Sequence, residues 1–201
     1  MENRVRRRQQ RRHNLQNDPG GTKTILHSFN STDGANPLAG LVQAAGGNFY
    51  GTTQGGSGGA NNYGTVFEIT SVGTLKTLQT FNYTDGSNPE AALVQATDGT
   101  FYGTSSQGGT NNGTIFSLSV GLAPFVKTLP TSGKVGAAVK ILGTDLMGPA
   151  GVTFNGTPAA ITFISPSEIS TTVPAGAATG KVQVTTPGGT LLSNIAFRIT
   201  P

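Results

Sequence analysis

The chain of 201 residues contains no cysteine and no tryptophan, and it has only two histidines. The absence of cysteine excludes disulfides, a thiol nucleophile and cysteine-ligated zinc. His13 lies in a polar N-terminal stretch, and a lone histidine on a strand, as predicted for His27, is usually structural. A Ser-His-Asp site is therefore not predicted. The absence of tryptophan also weakens the case for a site that stacks on sugar rings.

Long apolar runs are lacking as well. No stretch of about 18 apolar residues occurs, so the sequence predicts no membrane span. The positive N-terminal stretch is followed by Gln, Asn, Asp and Gly rather than by an apolar segment, so no signal peptide is predicted there. Thirty glycines, with abundant Thr, Ser and Asn, indicate short strands joined by many turns, and the predicted class is all-β.

The formal net charge of +4 is unevenly distributed. The first twelve residues take six of the thirteen basic residues and one of the nine acidic ones, which leaves seven against eight in the rest. Such a basic stretch can contact phosphates, but no aromatic residue separates the arginines, so nucleic-acid binding is not favoured. Residues 1–21 lack hydrophobic periodicity and are predicted to be a disordered arm. Its arginines are Arg4, Arg6, Arg7, Arg8, Arg11 and Arg12.

The chain nearly repeats itself at a spacing of 52 residues. A period of this size is typical of a structural unit that stacks on its own copies. The last block of the second copy returns after a contraction of three residues. The matching blocks are Phe29 with Phe81, 41–44 with 93–96, 49–52 with 101–104, and 64–67 with 113–116.

Each copy is predicted to supply four short strands. A Thr-Asp-Gly-x-Asn-Pro turn lies between the first two, at residues 32–37 and 84–89. Four strands in about 50 residues is the size of one propeller blade, so we predict two four-stranded propeller-like blades at residues 22–71 and 72–121. The predicted strands are 24–29, 40–44, 48–53, 64–69, 75–81, 92–96, 100–105 and 113–119.

The ordered blocks 49–53, 55–56 and 64–67, together with their second copies, resemble the GloVer tandem repeat of bacterial surface-associated proteins. The resemblance covers residues 22–121. Members of that family usually carry more than two copies, and propellers close with about four to eight blades. Two copies therefore predict an incomplete array, which could self-associate or belong to a longer chain.

After Pro124 the pattern changes to alternating apolar residues with turn signals, among them Asn155-Gly156. This pattern predicts a β-sandwich over residues 122–201. The stretch resembles the IPT/TIG domain, an immunoglobulin-like fold, which implies a spacer or a ligand-binding module without catalytic residues of its own. The matching landmarks are Gly133, Gly136, 152–156, 173–174, 180–184 and 187–189.

Four residues are candidates for ligand binding: Asp33, Asp85, Tyr50 and Tyr102. The two aspartates occupy equivalent turns and could bind a cation or a sugar hydroxyl, or form a glycosidase pair, although turn chemistry alone accounts for them. The two tyrosines occupy equivalent strand positions. They could form a platform for a glycan, although packing between blades is the favoured alternative.

The sequence thus predicts a non-enzymatic binding or presentation protein, extracellular or at the cell surface, with a glycan or another protein as candidate partner. No catalytic residue, cofactor or metal site is predicted. The main alternative is structural assembly through the incomplete repeat array. A polysaccharide-active enzyme and a DNA-binding protein are less favoured.

Overall fold

The computed structural model describes residues 21–56 and 62–201, and the backbone of residues 13–17. Over these residues the chain forms strands and turns without a helix, so none that could span a membrane, and the all-β class is confirmed. The strands are β1 (His13–Asn17), β2 (Lys23–Ser28), β3 (Val42–Gln43), β4 (Phe49–Thr53), β5 (Thr65–Ile69), β6 (Leu75–Thr80), β7 (Val94–Gln95), β8 (Phe101–Ser105), β9 (Thr114–Leu118), β10 (Lys127–Leu129), β11 (Ser132–Gly133), β12 (Ala138–Leu142), β13 (Gly151–Phe154), β14 (Thr157–Ala159), β15 (Thr162–Ser165), β16 (Glu168–Thr172), β17 (Val182–Thr186), β18 (Gly189–Leu192) and β19 (Arg198–Ile199).

The chain divides into two compact units. Most of β1–β9 belongs to the first unit, and β10–β19 belong to the second. Two short segments of the repeats group with the second unit. The boundary between the repeats and the sandwich was predicted after residue 121. The first unit consists of 1–43, 47–94 and 102–117, and the second of 44–46, 95–101 and 118–201.

The eight strands predicted for the two copies are all present, but their pairing differs from the prediction of one four-stranded blade per copy. The first sheet has the order β3-β4-β5-β6, so its fourth strand comes from the second copy. The sheet β7-β8-β9 has three strands among the described residues. The sheets are therefore out of phase with the sequence copies by one strand.

A short hairpin turn explains this pairing. Between β5 and β6, Thr70 N donates to Thr74 O and Gly73 N donates to Thr70 O, both at 3.0 Å. Gly73 has a φ of 91°, a left-handed conformation that glycine adopts without strain. This turn closes an antiparallel pair at a lower entropic cost than the much longer connection from β2 to β3.

The arm predicted to be disordered over residues 1–21 contains a strand. β1 pairs antiparallel with β2, so the prediction is wrong for His13–Asn17. Residues 1–12 and 18–20 lie outside the described residues. Backbone groups alone make a strand ladder, so a polar segment without hydrophobic periodicity can still pair at the edge of a sheet.

The pairing of β1 with β2 repeats that of β5 with β6 at the spacing of 52. His13 faces Ser28 as Thr65 faces Thr80, and the following partners keep the same offset. Both pairs also have a register shift after their second residue. β1 therefore occupies the place of β5 one period earlier, although its side chains show no sequence match.

In each repeat, an aromatic ring packs over a glycine. Phe67 is fully buried and meets Phe29 edge to face, with ring centroids 5.2 Å apart. Gly51 lies beneath this ring, because a Cβ there would be 2.7 Å from Phe67 Cζ. Phe81 and Phe116 reproduce the contact in the second repeat at 5.0 Å.

The second unit is the immunoglobulin-like sandwich that the sequence predicted. Its sheets have the orders β10-β12-β16-β15 and β14-β13-β17-β18, and β11 pairs in parallel with β19. Asn155 and Gly156, both at positive φ, close the β13–β14 hairpin. Buried residues of both sheets and of the adjoining segments form one core: Val126, Val139, Ile141, Leu146, Val152, Phe154, Ile169, Val173, Val182, Val184 and Phe197.

Replacement of Gly51 by alanine is expected to destabilise the protein by about 1 to 3 kcal/mol, because the new methyl group must displace the Phe67 ring. Gly40→Ala is the matched control, since a Cβ at Gly40 meets no atom within 4 Å. The control should change the free energy of unfolding by less than about 0.5 kcal/mol. Urea unfolding measures both variants, and equal stabilities would refute this packing role.

Candidate functional site

Asp33 holds together the loop that follows β2. Its Oδ1 accepts a hydrogen bond from Asn30 N at 3.0 Å, and its Oδ2 lies 2.9 Å from His27 Nε2. Asn30 Oδ1 in turn accepts from Thr32 N at 3.0 Å. The carboxylate and the histidine are thus both engaged in the structure of the loop.

Asp85 plays the same part in the loop that follows β6. Its Oδ1 accepts from Asn82 N at 2.9 Å, and its Oδ2 accepts from Gln79 Nε2 at 3.2 Å. Gln79 is the equivalent of His27, so an amide supplies in one copy the contact that an imidazole supplies in the other. This exchange points to a structural role, since an amide cannot replace an imidazole in proton transfer.

The described residues form no metal centre. Over residues 21–56 and 62–201, no group of three or more His, Asp or Glu side chains is placed to hold an ion. Asp33 and Asp85 each have both carboxylate oxygens engaged within their own loop. Calcium takes about six to eight oxygen ligands, which neither loop gathers.

Tyr50 lies in the interior of the first unit and is only 3% exposed. Its hydroxyl donates to Glu68 Oε1 at 3.2 Å, and Asn48 Nδ2 donates to the same oxygen at 2.5 Å. Burial, followed by the charge and the hydrogen bond of Glu68, raises the pKa of Tyr50 to about 12. The phenol is therefore neutral at physiological pH and does not present its ring to a ligand.

Tyr102 occupies the equivalent position in the second copy but is 43% exposed. Together with Val94 and Ile115 it forms the outer face of the sheet β7-β8-β9. Ile115 is 83% exposed and Val94 is also exposed. Burial alternates along β8 and β9, as it does in a sheet with one packed face and one open face.

The outer face of the first sheet consists of the equivalent residues Val42, Tyr50 and Val66, and it is covered. Cross-strand pairing places Val42 beside Tyr50 and Thr52 beside Val66, so these side chains share one face. Val66 is fully buried, and β4 and β5 are buried on both of their faces. The equivalent residues of this face are therefore covered in the first sheet and exposed in the sheet β7-β8-β9.

Residues 88–91 of the second copy are the covering segment of the first sheet. Thr52 Oγ1 donates to Ala91 O at 3.5 Å. Pro89 packs against Gly64, where a Cβ would lie 2.8 Å from the proline Cδ. This segment therefore covers the outer face of the first sheet at Thr52 and beside Gly64.

The equivalent segment of the first copy is residues 36–39, and its asparagine and proline are more exposed than those of residues 88–91. Pro37 is half-buried, whereas Pro89 is buried. Leu41, just after the segment, is 37% exposed, whereas the equivalent Leu93 is 4% exposed. The chain thus carries an uncovered outer face in its second copy and, in its first, a partly exposed equivalent of the covering segment.

Sequence reasoning singled out Tyr102 but missed Val94 and Ile115. The available signal was their recurrence, since each has an apolar equivalent in the first copy. Their exposure could not be predicted, because it depends on which neighbouring segment covers the sheet. The structure separates the two candidate tyrosines, with Tyr50 buried and Tyr102 exposed.

These features define a repeat protein with an immunoglobulin-like domain after its repeats. Residues 15–161 match the Gloeobacter/Verrucomicrobia repeat, and residues 124–199 match the IPT/TIG domain. The first match spans more than half of the chain, which belongs to the Gloeobacter/Verrucomicrobia repeat family. Both resemblances inferred from the sequence are confirmed. A comparison with curated proteins finds no match.

Replacement of Asp85 by alanine is expected to destabilise the protein by about 1 kcal/mol, because Asn82 N and Gln79 lose their acceptor. Asp85→Asn keeps one carbonyl oxygen for Asn82 N and should recover part of the loss. Thermal and urea unfolding measure the difference. Unchanged stability in Asp85→Ala would contradict the structural role and favour a ligand role.

Tyr50 should titrate near pH 12 in the folded protein. Because its pKa is raised, its contribution to stability is fully present below pH 10 and is lost as the pH rises from 10 to about 12. In an absorbance titration of the four tyrosines, Tyr50→Phe should remove the component near pH 12, and the control Tyr102→Phe should keep it. Superimposable curves for Tyr50→Phe and the wild type would contradict this assignment.

Proposed function

We propose that the protein is a non-enzymatic binding or presentation protein of the bacterial cell exterior, in which the outer face of the sheet β7-β8-β9 contacts a protein partner. One observation carries the proposal: this face is exposed, although the equivalent face of the first sheet is covered. Membership of a repeat family and the IPT/TIG domain support a binding or structural role without catalysis.

The chemistry of the outer face favours a protein over a glycan. Val94 and Ile115 are aliphatic, and Tyr102 is the one aromatic residue of the three. Buried interface centres in proteins are apolar and enriched in tyrosine. Sugar sites instead depend on aromatic faces that stack on the sugar ring, and this surface has one aromatic ring beside two aliphatic side chains, with the hydroxyls of Tyr102, Thr104 and Ser117 as its polar groups.

The immunoglobulin-like domain is proposed as a spacer or a second binding module.

The antiparallel order and size of the first sheet resemble those of one propeller blade. In a blade-like array, each sheet packs on its neighbour, so an exposed outer face is a position for a further unit. The location at the cell exterior is part of the same proposal.

A cell-binding experiment tests this function with matched variants. Ile115→Asp places a charge on the outer face, and Val72→Asp places one on the β5–β6 turn, where the valine is 84% exposed. Labelled protein is applied to intact cells of the source organism and to an array of extracellular polysaccharides. Ile115→Asp should weaken cell binding by about tenfold or more, and Val72→Asp should not.

The outcomes separate the candidate functions. Cell binding that is lost after surface proteolysis supports a protein partner at the cell exterior. Binding to the polysaccharide array that requires Tyr102 would instead indicate a glycan. Hydrolysis of any polysaccharide on the array would contradict the absence of catalysis.

A further inference from the structure

We propose that the partner is a second copy of this chain, which adds its β2 to the free edge of β9 and lays its residues 36–39 on the outer face. The inference rests on the proposed function, because it names the occupant of the same face. The junction between two chains would then repeat the junction that joins the two repeats inside one chain.

The edge of β9 lacks the neighbour that its equivalent has. β5 pairs with β4 on one side and with β6 on the other. β9 pairs with β8, and within the described residues no strand lies on its other side. β2 is the equivalent of β6 one period earlier, so β2 of a second copy is the strand that fits this edge.

The outer face keeps the residue types that are buried in the first sheet. Val94 and Tyr102 are identical in type to Val42 and Tyr50, and Ile115 replaces a valine. In the first sheet, a segment with the sequence Asn-Pro-Glu-Ala lies against this face at Thr52, and it comes directly after the loop that follows β6. The second sheet offers the same surface to an equivalent segment.

The chain carries that equivalent segment at residues 36–39, with the sequence Asn-Pro-Leu-Ala. It is held in the same shape as residues 88–91, since Asn36 and Asn88 have φ values of 54° and 55°. In each copy the carbonyl of this asparagine also accepts a backbone hydrogen bond from its own sheet, at 3.0 and 3.1 Å. The segment is therefore formed before it meets a partner, which lowers the entropic cost of docking.

Two contacts of the internal junction are not reproduced between chains. The rings of Tyr63 and Tyr83 meet with centroids 5.3 Å apart, whereas the equivalent residues between chains are Asn112 and Ser31.

The second contact is a hydrogen bond. Within the chain, Gln54 Nε2 donates to Glu90 Oε1 at 2.7 Å. The equivalent residues at the proposed junction are Ser106 and Leu38, which cannot form this bond. The chains also lack the high effective concentration of two linked repeats. Association is therefore weaker than the internal junction and depends on concentration.

β1 opposes this association. It already pairs with β2, in the register and with the irregularity that β5 shows against β6. β9 of another copy can reach the same edge of β2 only after β1 has left it. β1 is thus a cap that protects an edge strand from pairing with a further chain.

The proposed interface joins two different surfaces, so it is head to tail rather than symmetric. Each chain presents an outer face at one junction and a covering segment at the other. Such contacts form a ring when the rotation closes and a filament when it does not. This asymmetry gives the proposal its sharpest test.

The first experiment holds β1 on β2 with an engineered disulfide. The chain has no cysteine, so Gln16→Cys with Thr24→Cys introduces one cysteine pair across β1 and β2, at positions that face each other. Sedimentation velocity compares the oxidised and reduced protein over a concentration series. The reduced form should associate at least about tenfold more tightly than the oxidised form. Equal association in both states, or a monomer in both up to about 1 mM, would overturn the proposal.

The second experiment uses complementary variants of the full chain. Leu38→Asp disables the covering segment and leaves the outer face, whereas Ile115→Asp does the reverse. Each variant alone should be monomeric, and an equimolar mixture should form dimers and nothing larger. Val72→Asp should associate as the wild type does. Self-association of either single variant, or a mixture that stays monomeric, would overturn the head-to-tail interface.

Failure of this inference can be told apart from failure of the proposed function. A chain that remains monomeric in both experiments, but still binds cells in a manner sensitive to Ile115→Asp, has a different protein partner. That result rejects the second copy and keeps the proposed function. Association of the kind described, without any binding to cells, supports the second copy and rejects the role at the cell exterior.

Discussion

The hairpin between β5 and β6 is the constraint on which the arrangement of the repeats depends. It draws the first strand of the second copy into the first sheet, so the sequence repeat and the sheet cannot coincide. From β6 the chain continues through one loop into residues 88–91, which cover the outer face of that same sheet. One continuous stretch of the second copy therefore pairs with the edge of β5 and also covers part of the outer face of the same sheet.

The loops after β2 and β6 keep this stretch in shape, and they use the residues that first suggest chemistry. Asp33 and Asp85 each bind a backbone amide with one oxygen and a side chain of the preceding strand with the other. The change from His27 to Gln79 preserves that contact while it removes any acid or base function. At Gly34, where φ is 143°, a Cβ would press on the neighbouring strand, so the loop also requires glycine.

Local patterns predicted the positions of the repeat strands and of their turns, because alternation and turn residues fix which backbone segments are extended and where they reverse. They could not predict pairing partners, since an alternating pattern fixes the faces of a strand and not its neighbours. β1 was not predicted because it pairs through backbone groups and four of its five residues are polar. Tyr50 and Tyr102 have the same local sequence context, but Tyr50 is buried and bonded to Glu68 whereas Tyr102 is exposed, so local sequence could not separate them.

Repeat arrays usually end in a unit whose outer side is polar. The sheet β7-β8-β9 departs from this rule, because Val94 and Ile115 remain apolar although exposed. One charged position becomes neutral: Glu68, which binds the buried tyrosine of the first sheet, has Ser117 as its equivalent beside Tyr102. A hydroxyl costs less to remove from water than a carboxylate. The exchange therefore suits a face that is exposed in the single chain and still able to be covered by another.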